Sequence, residues 1–205
     1  MPGQLAGVAL VIASFLIGAI PWGYVAGKAS RGIDLRTVGS GGTGATNVLR
    51  TVGARASALV ALLDILKGVL PVVFARSAGF EAGWVAMAAV VTVAGHCWSP
   101  FIGFKGGKGV ATGAGAAMAL FPQILLIVPV MALVVWGTKY VSLGSLTAAA
   151  LGALLALAYA VAGQLDWTAA VAILVISGII FGRHEGNIRR LLNGRERRIG
   201  ETISI

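Results

Sequence analysis

Residues 110–138 read VATGAGAAMALFPQILLIVPVMALVVWGT. The stretch carries no charge and is interrupted by Pro122 and Pro129. A helix needs about 20 residues to cross a bilayer, with a range of roughly 17–25. At 29 residues (110 to 138 inclusive), this stretch fits one tilted helix, two short helices or a re-entrant pair. The choice sets the side of the membrane on which every later segment lies.

Further apolar runs occupy 5–27, 56–75 and 83–99 before this stretch, and 143–161 and 167–181 after it. Of the 205 residues, 58% are hydrophobic and 11% are charged. A soluble domain is about 25% charged, so there is too little charge to cover a water-facing surface. Basic residues favour cytoplasmic loops. With the 27–55 loop cytoplasmic, two passes through 110–138 return Lys139 to that side. Every Lys and Arg then gathers there except Arg76, outside, and Lys67, inside a helix. A single pass splits the cluster. The expected fold is an all-α integral membrane protein of seven transmembrane helices, N-terminus outside, C-terminus cytoplasmic, with a short fourth helix. Residues 1–205 form a single membrane-embedded domain.

The net charge of +9 suggests nucleic acid, but its distribution along the membrane edge argues for no nucleic-acid partner. One cysteine, Cys97, excludes an internal disulfide framework and a multi-thiolate metal site. The first run follows only Met1–Gln4 without a charged region or cleavage site, so no removable signal peptide is expected. Asp64 and Lys67, three apart in the second run, share a helical face. Charges in a membrane segment point to function by default, although a structural ion pair is the preferred reading here.

Three segments carry polar chemistry. Residues 38–50, VGSGGTGATNVLR, interleave Ser40, Thr43, Thr46, Asn47 and Arg50 with Gly39, Gly41, Gly42 and Gly44. Glycines let backbone amides converge on an anion. The formal G-x-G-x-x-G follows no strand, so a dinucleotide site is not indicated; a flexible loop is the plain alternative. Residues 95–115, GHCWSPFIGFKGGKGVATGAG, place Lys105 and Lys108 around Gly106 and Gly107, just before a helix begins. A helix N-terminus with a lysine beside it suits phosphate. A basic loop touching lipid headgroups is the alternative, and a Walker A motif is excluded because Lys108 stands where its second glycine belongs. Residues 182–196, GRHEGNIRRLLNGRE, carry His184, Asn187, four arginines, Glu185 and Glu196. Taken alone, that segment reads as an interfacial basic tail holding anionic lipid.

With two histidines in the chain, a multi-His metal site is excluded and no metal or cofactor is expected. No G-x-S-x-G elbow appears, and neither histidine has an aspartate five positions on. Such a set suits a reaction whose substrates bring their own leaving group and charge. A transporter for an organic phosphate and a lipid-gathering anchor are the rival classes. The chain is short for a transporter, lacks an inverted repeat, and keeps its polar cluster at one face.

Together the three segments resemble those of the bacterial acyl-phosphate:glycerol-3-phosphate acyltransferase family (PlsY), at 39–50, 95–112 and 182–191, in the same order and with similar spacing. Residues 64–68 and 139–145 also resemble that family. Gly42 stands where the family usually has asparagine, and Trp98–Ser99 where it has Phe-Pro.

The resemblance implies acyl transfer from acyl phosphate to the 1-hydroxyl of glycerol 3-phosphate, giving lysophosphatidic acid and phosphate. It implies a multi-pass enzyme of the bacterial inner membrane, its site facing the cytoplasm, in contact with membrane lipid and monomeric. On this basis Lys108 and Arg50 neutralise phosphate. Ser40, Thr46, Asn47 and the amides of Gly41, Gly44, Gly106 and Gly107 donate hydrogen bonds. His184 and Asn187 complete the glycerol 3-phosphate site, with Ser142 and Glu196 as outer members. The hydroxyl proton goes either to His184 or to a phosphate oxygen of the donor, and the second is preferred. The acyl chain lies between helices.

Overall fold

A computed structural model describes residues 2–200, and every regular element among them is helical. The first apolar run does not form one helix. Pro21 has no amide to donate, so α1 (Gln4–Ala19) stops before it and α2 (Trp22–Arg31) begins after it. Side chains from elsewhere satisfy two carbonyls at the break: Ser99 Oγ donates to Ala19 at 2.6 Å, and Lys67 Nζ to Ile20 at 2.7 Å. Next come α3 (Ala45–Thr51), α4 (Ala54–Ser77) and α5 (Ala82–Cys97).

The 110–138 stretch folds as two short helices joined by a 3₁₀ turn, not as one tilted helix. Gly109, at φ 82°, takes the left-handed conformation open to glycine and starts α6 (Val110–Leu120). Pro122 stops α6, and a 3₁₀ segment, Pro122–Ile127, leads into α7 (Val128–Thr138). Arg76, in the last turn of α4, donates to the Ala119 carbonyl and, at 2.8 Å, to that of Leu120. A cation beside the last carbonyls of a helix is favoured by the helix dipole. The far end of α7 lies elsewhere: the Ile199 amide donates to the Lys139 carbonyl at 2.8 Å. The chain therefore doubles back between Leu120 and Lys139. α8 (Val141–Val161), α9 (Trp167–Arg183) and α10 (Glu185–Leu192) complete the fold.

Among the described residues, four helical stretches are long and apolar enough to cross a bilayer: Gln4–Arg31, Ala54–Ser77, Ala82–Ile102 and Val141–Val161. The number is five when α9 and α10, bent by 61°, are counted as one span. The protein is a multi-pass membrane protein, and α6 and α7, with 11 residues each, are both shorter than its other apolar helices. Helix α5 lies at the centre, packed on α1, α4, α6 and α9. Where lipid offers no hydrophobic drive between helices, small residues let backbones touch. Gly18 rests on the Thr92 carbonyl and Gly95 on that of Phe15, joining α1 to α5. Gly68 rests on the Thr112 carbonyl and Gly115 on that of Ile65, joining α4 to α6. A methyl group at any of these would strike backbone.

Candidate active site

The first glycine-rich segment is built around one side chain. Asn47, 2% exposed, donates from Nδ2 to the carbonyls of Leu35, Val38 and Gly42, at 3.0, 3.1 and 2.9 Å. Its Oδ1 accepts from the Ser40 amide at 3.0 Å. The loop thus curls around Asn47, with Gly39 and Gly41 at φ 61° and 70°, while Leu35, Val48 and Val60 pack beneath it. Asn47 is expected as a substrate donor, and in the structure both its amide hydrogens serve the loop. The Gly41 amide is likewise engaged, donating to Val38 at 3.1 Å. Arg36 ties this loop to the next, donating to the Ile102 carbonyl at 3.0 Å while paired with Asp34.

In the second segment the expected amide donors are also taken. The Gly106 amide donates to Cys97 at 3.2 Å and the Gly107 amide to His96 at 3.1 Å. These bonds lay the turn on the last residues of α5, so its backbone positions the lysine instead of binding an anion. Arg183 closes the turn from the other side, with Nε 3.2 Å from the Gly107 carbonyl and its guanidinium 5.6 Å from the Trp98 ring.

Lys108 then reaches the third segment. Its Nζ donates to Asn187 Oδ1 at 2.7 Å, and Asn187 Nδ2 donates to Glu196 Oε1 at 2.6 Å. Ser142 Oγ donates to the same oxygen at 2.9 Å, and Arg190 Nε to Oε2 at 2.8 Å. Asn187 and Arg190 share a face of α10 because they are three residues apart. At the bend between α9 and α10, His184 Nδ1 lies 2.7 Å from the Ile180 carbonyl. A carbonyl only accepts, so Nδ1 carries the proton and Nε2 keeps its lone pair.

The charges on these groups follow from their surroundings. Burial pushes the Lys108 ammonium down to about 8; the Glu196 carboxylate opposes this, while Arg190, Arg50 and Arg183 add to it. Burial also drives His184 down to about 4, against the Ile180 hydrogen bond and with Lys108 contributing. His184 is therefore a neutral imidazole at pH 7. Burial would raise the Glu196 carboxyl, but hydrogen bonds from Asn187, Ser142 and Arg190 outweigh it and hold it low.

Lys108, Ser142, His184, Asn187 and Glu196 thus form one cluster, and Arg50 is near enough for its charge to act on Lys108. Arg50 and the first loop join this cluster through the C-terminal segment: Arg50 Nη2 donates to the Arg197 carbonyl at 3.4 Å, and Arg197 Nη1 to Gly39 at 2.7 Å. Ser40 and Gly44 lie on the same loop, and Thr46 in the first turn of α3. Arg183, Arg190 and Arg197 were missed as site residues. The i, i+3 spacing of Asn187 and Arg190 was the one signal that pointed to any of them.

An apolar groove is lined by α6, α7, α8 and α9. Val110, Ser145 and Ile180 line the end beside the polar site, and Ala117, Ile124, Gly152 and Ile173 line the other.

Comparison with known proteins shows the family. Residues 8–194 match the family described as glycerol-3-phosphate acyltransferase. The chain is 45% identical to glycerol-3-phosphate acyltransferase 1 of Deinococcus radiodurans, over 95% of this chain and 96% of that one. It is 42% identical to a glycerol-3-phosphate acyltransferase of Clostridioides difficile, over 95% and 96%. Among solved structures it resembles the glycerol 3-phosphate form of the integral membrane acyltransferase PlsY (YgiH), with TM-score 0.88, 41% identity, and coverage of 95% and 96%. The lysophosphatidic acid form gives TM-score 0.85 and 39% identity, with the same coverage.

Proposed function

The chain belongs to the glycerol-3-phosphate acyltransferase family and is a membrane acyltransferase, and from this premise we propose that its donor is acyl phosphate and its product 1-acylglycerol 3-phosphate. The observation that carries this reading is the Lys108–Asn187–Glu196 cluster, with an apolar groove whose lining begins at Val110, two residues after Lys108. Cations beside an acyl-chain channel fit a substrate with a phosphate at one end and a hydrocarbon tail at the other. The groove takes the tail between α6 and α9.

Lys108 and Arg50 neutralise the phosphates of the two anionic substrates, with Ser40, Thr46 and the Gly44 amide as further donors from the first loop. Asn47, Gly41, Gly106 and Gly107 shape the loops that present them. His184 Nε2 accepts a hydrogen bond from the glycerol 3-phosphate 1-hydroxyl and orients it. Held at about 4, this imidazole is a weak base, so the proton passes to a phosphate oxygen of the donor. The hydroxyl oxygen attacks the acyl carbonyl carbon, the carbonyl carbon–oxygen bond to phosphate breaks, and hydrogen phosphate leaves with the proton. Well-oriented reactants gain roughly 7–11 kcal/mol from proximity, and a mixed anhydride needs no covalent enzyme intermediate.

The six apolar stretches are read as seven crossings, two of them through 110–138, with the N-terminus outside and the C-terminus inside. Arg76 then marks the outer face. The site faces the cytoplasm of a bacterial inner membrane, as the one-sided basic residues support.

The test uses purified protein with palmitoyl phosphate and glycerol 3-phosphate. Equal amounts of lysophosphatidic acid and phosphate should form, and none with a palmitoyl thioester. Product from the thioester alone would overturn the donor assignment.

A further inference from the structure

Three buried polar side chains lie between α1, α4 and α5, away from the groove. Asp64, Lys67 and His96 are 2%, 4% and 7% exposed. Lys67 Nζ stands 2.9 Å from Asp64 Oδ1 and donates to the Ile20 carbonyl at the break of the first span. Asp64 Oδ1 stands 3.6 Å from His96 Nδ1, an electrostatic contact too long for a hydrogen bond. His96 in turn underlies the lysine turn: its carbonyl accepts the Gly107 amide at 3.1 Å, and a methyl at Gly107 would strike its imidazole Nε2. The next residue is Lys108.

We propose that Asp64, Lys67 and His96 are positioning residues that fix the 106–108 turn from below and thereby set the affinity for the phosphate of glycerol 3-phosphate. The inference rests on Lys108 as the ligand of that phosphate. Asp64 faces the Nδ1 edge of the His96 ring, Lys67 pairs with Asp64 and anchors it to the broken helix, and the His96 carbonyl and ring carry the turn. Burying charges in a low-dielectric interior is costly unless they are paired and held. A pair that served only to join α4 to α1 would not need the imidazole, and apolar residues of the same size would replace it without loss.

The deciding variant is the double substitution Asp64→Asn with Lys67→Met, which leaves no unpaired buried charge. With positioning, this variant keeps a melting temperature near that of the parent and a kcat within about threefold, while KM for glycerol 3-phosphate rises about tenfold or more, the scale of one weakened charged contact. KM for acyl phosphate stays within about twofold. His96→Leu gives the same rise. His96→Asn keeps a donor facing Asp64 and restores KM to within about threefold. Glycerol 3-phosphate binding is followed in parallel by tryptophan fluorescence, so affinity is read even with a different acyl donor. If the parent protein binds glycerol 3-phosphate but does not use acyl phosphate, the functional reading fails and the relay is still judged by affinity. A folded double variant with parental affinity overturns the relay and leaves a structural ion pair. Should the double variant fail to fold, the two His96 variants decide, and equal affinities in them overturn it.

Discussion

Lys108 Nζ donates to Asn187 Oδ1 over 2.7 Å, joining residues 79 positions apart in the chain. The contact places the ammonium one side chain away from the Glu196 carboxylate instead of directly on it. An ammonium has three donors, so two remain for a phosphate. The cation is therefore held in place without being neutralised.

Replacing Lys108 by Met should leave the fold intact and remove this cation. A hydrogen bond to a charged group contributes about 1.5–3 kcal/mol, so kcat/KM for glycerol 3-phosphate should fall by roughly 10–150-fold. Steady-state kinetics on the purified variant, with a melting curve as a folding control, measures it. Near-parental kcat/KM removes Lys108 from the site.

The pH profile follows from the same lysine. Its folded value is lowered from 10.5 to about 8, so it is charged below that pH and loses its charge as pH rises through it. KM for glycerol 3-phosphate should accordingly climb above pH ~8. Lys108→Arg should flatten that limb, because a guanidinium stays protonated. A rise unchanged in Lys108→Arg assigns it to another group.

His184→Gln separates orientation from proton transfer. General base catalysis typically contributes about 10²–10⁴-fold. With the donor phosphate taking the proton, kcat at saturating substrates should fall by less than about 100-fold. In the parent protein kcat should show no inflection from His184 between pH 5 and 7, since burial pushes that imidazole down to about 4. A thousandfold loss with unchanged KM makes His184 the base.

Chain-length preference should respond to the far end of the groove. A Cβ at Gly152 meets Ile124 Cδ1 at 3.4 Å, so Gly152→Val shortens the channel. Each buried methylene contributes about 0.8 kcal/mol. The kcat/KM ratio of palmitoyl over decanoyl phosphate should fall about tenfold, measured by competition between the two donors. An unchanged ratio places the chain elsewhere.

Much of this arrangement is visible in the chain itself. Pro122 and Pro129 mark the division of 110–138, and the one-sided basic residues mark the end where Lys108, Arg50 and His184 collect. The glycines of the first two segments were harder to read. Gly41, Gly106 and Gly107 were expected to offer amides to an anion, yet those amides bond to Val38, Cys97 and His96. The residue types were informative, but the partners of each amide were not. Pro21 carried a plain signal for a break in the first helix, obscured by the uninterrupted hydropathy around it.

Hydropathy and charge along the chain determine that this protein lies in a membrane and where its polar segments fall, because each residue's transfer energy is a local property. Tertiary structure alone decided that Asn47 organises its loop, that Arg190 and Arg197 join the site, and that Asp64 lies under the turn carrying Lys108. Hydrogen bonds and buried charges depend on which groups meet in space, and groups 79 positions apart meet only once the helices have packed.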